Sequence, residues 1–228
     1  MTGDAHHGAG APGTSGGCAR TRILARIRSA VAGAPEPPPV LRDYLPGHSG
    51  DDPAALADLL RRNLTDYRAT VHRATPQELP ALIARVLAGH GARSLVVPDG
   101  VPPWWTAATD AGQRRDDGTL TAAALDGCDA VLTGCALAIA ETGTLVLNGG
   151  PGQGRRALTL VPDLHLCVVP VPGRLVASVP AALPLLDPLR PLTWISGPSA
   201  TSDIELDRVE GVHGPRRLEV ILLSEGNP

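Results

Sequence analysis

The first quarter of the chain carries the residue spacing of amphipathic helices. Ile23, Ile27 and Val31 recur at intervals of four residues among arginines, which predicts a helix over residues 19–32. A second helix is predicted from residue 51 onward, where two aspartates precede a proline. An aspartate there can cap the first turn, and proline suits the first helical position.

Later in the chain, short apolar runs predict the strands of a sheet. A third helix, from Thr75 to Gly89, comes first, with Glu78 as the capping-box partner of Thr75. The predicted strands are 69–73, 94–98, 129–133, 137–147, 165–169, 192–196 and 218–223. Because the early strands are apolar on both faces and alternate with helices, they predict an α/β fold with a mostly parallel, covered sheet. The second half has more strand than helix, which favours some antiparallel pairing and therefore a mixed sheet.

The same patterns predict three parts of the chain. Residues 1–17 contain almost nothing to bury, which predicts a disordered tail. Residues 18–50 are expected to form an N-terminal helical arm followed by a proline-rich spacer. Residues 51–228 are expected to form the main domain, which is long enough to bury a full core.

Composition excludes several classes of function. The formal net charge of −3 provides no field that would steer the chain toward nucleic acid or an anionic membrane. The chain has no lysine, which excludes a Schiff-base amine and a phosphate-loop lysine. No run approaches the length of a membrane span and the N-terminus lacks a signal-peptide pattern, so we expect a cytoplasmic protein.

The cysteines predict buried thiols in a reducing compartment, without an iron–sulfur cluster. Cys18, Cys128, Cys135 and Cys167 form no C-x-x-C pair and fit no common zinc or cluster spacing.

Three segments carry candidate chemistry, and the first surrounds Glu141. A glutamate in an apolar run is costly to bury unpaired, and Gly143 indicates a bulge or a close approach of a ligand. Glu141 is therefore interpreted as a base, a nucleophile or a hydrogen-bond acceptor in a pocket. A hairpin bend with a solvated glutamate is an equally good interpretation.

The second segment, residues 148–156, is rich in glycine and ends in two arginines. Its backbone amides together with Arg155 suit an anion-binding nest, and a surface loop is at least as good an interpretation.

The third segment, residues 195–215, places hydroxyls, two acids and His213 after a predicted strand. Loops at the carboxyl ends of strands build ligand sites in open α/β sheets. Asp203, Glu205 and His213 are interpreted as hydrogen-bonded groups rather than as metal ligands, and no metal site is predicted.

Taken together, three motifs resemble the signatures of the lactate-utilisation C family, which is built on the LUD domain. They are Ala-Ile-Ala-Glu-Thr-Gly-Thr-Leu-Val-Leu at 138–147, Ile-Ser-Gly-Pro-Ser-Ala-Thr-Ser-Asp-Ile-Glu at 195–205 and Gly-Val-His-Gly-Pro at 211–215. Their order and spacing agree with that family, and the resemblance covers roughly residues 50–224.

The resemblance implies both a fold and a pathway. The fold would be a three-layer α/β/α Rossmann-like domain, like ribose-5-phosphate isomerase A and the CoA-transferases. The chain would be a subunit of a three-protein system that oxidises L-lactate to pyruvate, with the iron–sulfur clusters in partner subunits. It would bind a small anionic metabolite or a partner protein near the three motifs.

These motifs supply the candidate site residues. Glu141, Asp203 and His213 are the catalytic candidates and are expected to converge on one cleft. The substrate-binding candidates are Thr142, Gly143, Thr144, Arg155, Ser196, Gly197, Pro198, Ser199, Thr201, Glu205 and Gly214.

Two other functions stay open. One is an independent enzyme of the CoA-transferase or sugar-phosphate isomerase class with Glu141 as nucleophile or base, although the flanking residues differ from the transferase motif. The other is a non-catalytic interaction subunit.

Overall fold

The computed structural model describes residues 18–41, 43, 45–201, 209–210 and 214–224. The chain divides into two units, residues 1–43 and 44–228. In the first unit, helix α1 spans Ala19–Val31, which confirms the helix predicted from apolar spacing. The second unit begins at residue 44, and the division into a tail, an arm and a main domain from residue 51 stays a prediction.

The second unit alternates helices and strands in its first half and consists mostly of strands in its second half. Its helices are α2 (Pro53–Asp66), α3 (Leu79–Gly89), α4 (Ala122–Asp126) and α5 (Val179–Ala182), with 3-10 turns at Pro103–Thr106, Arg156–Thr159 and Leu183–Leu185. Its strands are β1 (Thr70–Ala74), β2 (Ser94–Pro98), β3 (Gly112–Asp116), β4 (Ala130–Thr133), β5 (Leu137–Ile139), β6 (Thr144–Leu147), β7 (Leu164–Val171), β8 (Leu175–Val176), β9 (Thr193–Ile195), β10 (Ala200–Thr201), β11 (Val209–Glu210) and β12 (Arg217–Ser224).

The helix starts follow the capping chemistry of the sequence. Asp52 accepts a 3.0 Å hydrogen bond from the amide of Ala55, as its position before Pro53 predicts. The carboxylate of Glu78 accepts a 2.9 Å bond from the amide of Thr75, which is one half of the predicted capping box. Residues 75–78 form a turn, however, and helix α3 begins only at Leu79.

The main sheet has six parallel strands in the order β1-β12-β7-β4-β2-β3. Most residues of the central strands β7 and β12 are buried and apolar, which suits strands covered on both faces. This arrangement confirms the predicted mostly parallel α/β sheet.

A second sheet, in the order β8-β5-β6-β9, supplies the antiparallel pairing expected in the second half of the chain. The single strand predicted over 137–147 is wrong, because the chain reverses between β5 and β6. Gly143 makes the reversal possible: its φ is +59°, and a Cβ there would lie 2.9 Å from the Cβ of Asn63.

The sheets and helices form layers around two large clusters of buried side chains, and two smaller clusters lie beside them. Helix α3 covers one face of the main sheet through Leu79, Ile83 and Leu87, which are at most 1% exposed. The opposite face packs against α2, through Leu60 and Leu64, and against one face of the second sheet. Each fully buried leucine contributes about 1.5 to 3 kcal/mol to folding. Within the described residues, no helix has both the length and the apolarity needed to cross a bilayer.

Candidate functional site

Glu141 lies in the turn between β5 and β6 and binds a segment far earlier in the sequence. Its Oε1 accepts hydrogen bonds from the backbone amides of His48 at 2.5 Å and Ser49 at 2.8 Å. The hydroxyl of Ser178 donates to the carbonyl of Pro46 in the same segment. The carboxylate and this serine therefore hold residues 46–49 against the second sheet.

These contacts set the ionisation of Glu141. Desolvation alone would raise the pKa of this carboxyl, but the hydrogen bonds from His48 and Ser49 favour the charged form and bring the pKa below its ordinary value. The group is therefore an ionised acceptor at neutral pH. The hairpin interpretation of this segment is confirmed, with the glutamate bonded to amides rather than freely solvated.

The hairpin turn is fixed from helix α2 as well. The side-chain amide of Asn63 donates to the carbonyls of Ala140 at 2.8 Å and Glu141 at 3.0 Å. Because Asn63 approaches the turn so closely, only glycine fits at position 143. Glu141, Thr142 and Gly143 thus have well-defined structural contacts.

Beyond the turn, a row of hydroxyls connects the hairpin to a cavity. The Oγ1 atoms of Thr142 and Thr144 lie 2.8 Å apart, and Thr144 Oγ1 lies 2.7 Å from Ser196 Oγ. Ser196 is the first residue after β9 and belongs to the cavity wall. Glu141 is not among the residues that line this cavity.

The cavity has a volume of about 220 Å³ and is built on residues after β9, the 3-10 turn after β6 and the start of β7. Its lining residues are Arg156, Thr159, His165, Trp194, Ile195, Ser196, Gly197, Pro198, Ser199, Gly214 and Pro215. The turn at Gly197 has a φ of +96°, and a Cβ there would lie 2.6 Å from the carbonyl oxygen of Tyr67, so glycine is required. The described lining contains one guanidinium and no carboxylate.

His165 provides a neutral imidazole at the cavity. It is 1% exposed, and its Nε2 lies 2.7 Å from the hydroxyl of Thr133 on β4. Burial, assisted by the positive charge of Arg156, lowers the pKa of His165 from 6.5 to about 4. At neutral pH this side chain is therefore uncharged and can donate one hydrogen bond and accept another.

Arg156 is the cation of the cavity. Its Nη1 donates to the carbonyl of Thr159 at 2.9 Å and to Thr159 Oγ1 at 3.1 Å. These bonds orient the guanidinium and leave further N–H groups for an anion. A guanidinium beside a neutral imidazole and several hydroxyls is suited to binding a small carboxylate.

The structure brings only some of the predicted site residues to this cavity. Ser196, Gly197, Pro198, Ser199 and Gly214 line it, and Thr144 bonds to its wall. Thr201 lies in β10. Asp203, Glu205 and His213 lie outside the described residues, so their expected convergence with Glu141 stays a prediction.

Arg155 differs from Arg156 in that it forms an ion pair with a buried carboxylate. Its Nε and Nη2 each donate a 3.0 Å hydrogen bond to the carboxylate of Asp116, and Nη2 also bonds to the carbonyl of Leu120. Asp116 is 6% exposed, so this pair joins the glycine-rich loop to the edge strand β3.

Six residues of the cavity lining were not among the candidates: Arg156, Thr159, His165, Trp194, Ile195 and Pro215. Of these, Arg156, Thr159 and His165 supply the guanidinium, a hydroxyl and the imidazole. The double arginine at 155–156 and the histidine at the start of an apolar strand were the available signals. Across the described ranges, no group of three or more His, Cys, Asp and Glu side chains is arranged to hold a metal ion.

A parallel sheet packed on a smaller mixed sheet, with a polar cavity after β9, defines an α/β protein of the Rossmann-like, three-layer class. The LUD domain matches residues 57–223, and the chain belongs to this family. It is 45% identical over 214 residues to "Lactate utilization protein C" of Deinococcus radiodurans, covering 90% of this chain and 96% of that protein.

Two further similarities agree with this assignment. A protein of the same name from Anoxybacillus flavithermus is 26% identical over 75% of this chain and 81% of its own. The crystal structure of a DUF162 family protein from Deinococcus radiodurans is 40% identical, with a TM-score of 0.63, and the match covers 76% of this chain and 99% of that one.

Proposed function

We propose that this chain is a subunit of a system that oxidises L-lactate to pyruvate and that its 220 Å³ cavity binds a small carboxylate metabolite. The similarity to lactate utilization proteins supports the pathway. The observation that carries the binding proposal is that Arg156 and neutral His165 line the same cavity as the hydroxyl residues Thr159, Ser196 and Ser199.

The chemistry of the cavity matches that of a 2-hydroxy or 2-oxo acid. A guanidinium pairs with a carboxylate through charge-assisted hydrogen bonds. A neutral imidazole and serine hydroxyls can bond to the adjacent hydroxyl or carbonyl oxygen. Drug-sized ligands occupy pockets of about 300 to 1,000 Å³, so a smaller cavity favours a ligand of a few heavy atoms.

Iron–sulfur proteins are the partners we propose. Oxidation of lactate releases an electron pair, and iron–sulfur centres span the potentials needed to accept electrons one at a time. Co-purification of tagged chain with iron–sulfur proteins from lactate-grown cells tests this association. If only proteins without such clusters are recovered, this partner class is wrong.

Titration calorimetry with L-lactate and pyruvate tests the binding proposal. Arg156→Gln should weaken binding by at least about tenfold, because a charge-assisted pair is lost. Arg114→Gln is the matched control, since Arg114 is an exposed arginine on β3 outside the cavity lining. If neither acid binds the unmodified chain, or if Arg156→Gln binds as well as the control, the metabolite proposal is wrong and the interaction subunit becomes the better function.

A further inference from the structure

A second cavity, of about 520 Å³, shares no lining residue with the first. The residues before and within β5, the loop after β6, the turn between β7 and β8 and the segment after α5 form its walls. Its polar side chains are Asn148, Gln153, Arg174 and Arg190, and its apolar side chains include Leu137, Val176, Leu185 and Leu186. The described lining contains no carboxylate.

Hydrogen bonds within the glycine-rich loop orient its two carboxamides. Asn148 Oδ1 accepts from the amide of Gly150 at 3.0 Å, and Gln153 Oε1 accepts from the amide of Asn148 at 2.7 Å. A backbone amide can only donate, so each of these bonds identifies the side-chain oxygen as the acceptor. The NH₂ groups of Asn148 and Gln153 have no partner among the described residues and are available to a ligand, and Gln153 is only 7% exposed.

Two arginines add positive charge to the same wall. Arg174 Nη1 donates a 3.3 Å bond to the carbonyl of Ala136. The backbone of Arg190 is held in a turn by a 3.2 Å bond to the carbonyl of Asp187. Within the described part of the chain, the guanidinium of Arg190 has no hydrogen bond or ion pair.

Gly150 leaves an open space between the side chains of Asn148, Gln153 and Arg190. A Cβ built at this residue would lie 2.9 Å from Asn148 Oδ1, 3.4 Å from Gln153 Nε2 and 3.8 Å from Arg190 Nη1. Because glycine has no side chain, a ligand can enter this space, which lies within reach of the NH₂ group of Gln153 and the guanidinium of Arg190.

We propose that this second cavity binds a small anion with at least two negative charges, through Arg174, Arg190, Asn148 and Gln153. Donors beside an open space favour an oxyanion, because each N–H group without a partner among the described residues would gain a charge-assisted hydrogen bond from it. The leucines and Val176 provide contact for the apolar portion of such a ligand. The site is independent of the proposed lactate function, since the two cavities have no residue in common.

Calorimetry with pyrophosphate, adipate and neutral 1,6-hexanediol tests this proposal on the full chain. We expect pyrophosphate, adipate or both to bind, and their relative affinities distinguish a phosphate from a carboxylate as the preferred head group. Hexanediol, which matches adipate in length without its charge, should bind at least about tenfold more weakly. If no anion binds at about 10 mM, or hexanediol binds as well as the anions, the proposal is wrong.

Three variants locate the binding. Arg190→Gln should weaken anion binding by at least about tenfold without affecting folding, since the guanidinium has no partner among the described residues. Arg156→Gln and Arg114→Gln should bind the anion as the unmodified chain does, because both residues lie outside this cavity. Unchanged binding in Arg190→Gln, or a loss in Arg156→Gln, would place the anion elsewhere and overturn the proposal.

Discussion

The carboxylate of Glu141 accepts a 2.5 Å hydrogen bond from the backbone amide of His48, 93 residues earlier in the chain. The same oxygen also binds the amide of Ser49. Glu141 was a catalytic candidate in the sequence, and in the structure its carboxylate holds residues 48–49 against the second sheet.

Glu141→Ala should therefore release residues 46–49. We expect faster hydrogen exchange at the amides of His48 and Ser49, because both lose their acceptor. Native-state exchange measured by mass spectrometry on peptides covering 45–50 checks this result.

Glu141→Gln is the matched variant for this experiment. Its side-chain oxygen can still accept both hydrogen bonds, although without the negative charge, so exchange should be intermediate. Equal exchange rates in all three proteins would show that the carboxylate does not hold the segment.

His165 predicts a specific dependence of stability on pH. Its pKa is about 4 in the folded chain and 6.5 ordinarily, so the unfolded chain binds the proton more tightly. The free energy of unfolding should therefore fall as the pH falls from 6.5 toward about 4, by a total of about 3 kcal/mol. Urea denaturation at a series of pH values measures this slope.

The variant His165→Gln separates this histidine from other acid-sensitive groups. It lacks a titrating group, so stability should change less between pH 7 and 4 than in the unmodified chain. An unchanged pH dependence would contradict the assignment of this slope to His165.

Apolar patterning was sufficient to predict the centre of the fold. Strands β2, β4, β7 and β12 are rich in buried apolar residues, as expected of strands covered on both faces. Strand β3 was missed because Gln113, Arg114 and Arg115 give it a polar pattern. Within the described part of the chain it pairs only with β2 at the sheet edge, where charged side chains face solvent and discourage further pairing.

The candidate site was predicted only in part, for a related reason. Ser196 to Ser199 follow a strand and carry turn chemistry, so their place in a ligand site was readable from local sequence. The partners Arg156 and His165 come from other elements, and their approach depends on the register of β4 and β7 and on the second sheet. Local patterns identify faces of strands but not which faces enclose a cavity.

Glu219 at the start of β12 should contribute to stability through two histidines. It is 5% exposed, and its carboxylate oxygens lie 2.6 Å from His72 Nε2 and 2.7 Å from His90 Nε2. Glu219→Gln should lower the free energy of unfolding by about 1 to 3 kcal/mol at pH 7, because charged hydrogen bonds in a buried site are lost. Urea denaturation measures this difference, with Asp126→Asn as an exposed control.

The acid dependence of this contribution has a defined sign. Burial raises the pKa of Glu219, but the hydrogen bonds from His72 and His90 outweigh it and hold the pKa below its ordinary 4.5. The stabilisation is therefore present above pH 4.5 and is lost as the pH falls through the folded pKa. If Glu219→Gln remains equally destabilised at pH 3, the interaction is not ionic.

Substitutions of the adjacent residues Arg155 and Arg156 should have separate effects, the first on stability and the second on ligand binding. Arg155→Ala leaves the buried carboxylate of Asp116 without its bidentate partner. Removal of one partner from a fully buried pair costs about 3 to 5 kcal/mol. The Arg155 side chain is 37% exposed, so water can reach the site and we expect a smaller loss of about 2 kcal/mol, measured by urea denaturation.

Arg156→Gln should impair ligand binding and leave the free energy of unfolding almost unchanged. Among the described residues Arg156 bonds only to Thr159 in its own turn, so stability should change little, while binding of L-lactate or pyruvate is lost. Arg155→Lys retains a positive charge near Asp116 and should bind these acids normally, because Arg155 is absent from the cavity lining. If Arg155→Lys loses binding while Arg156→Gln retains it, the glycine-rich loop itself is the anion site, which is one of the two interpretations of its sequence, and the 220 Å³ cavity is not.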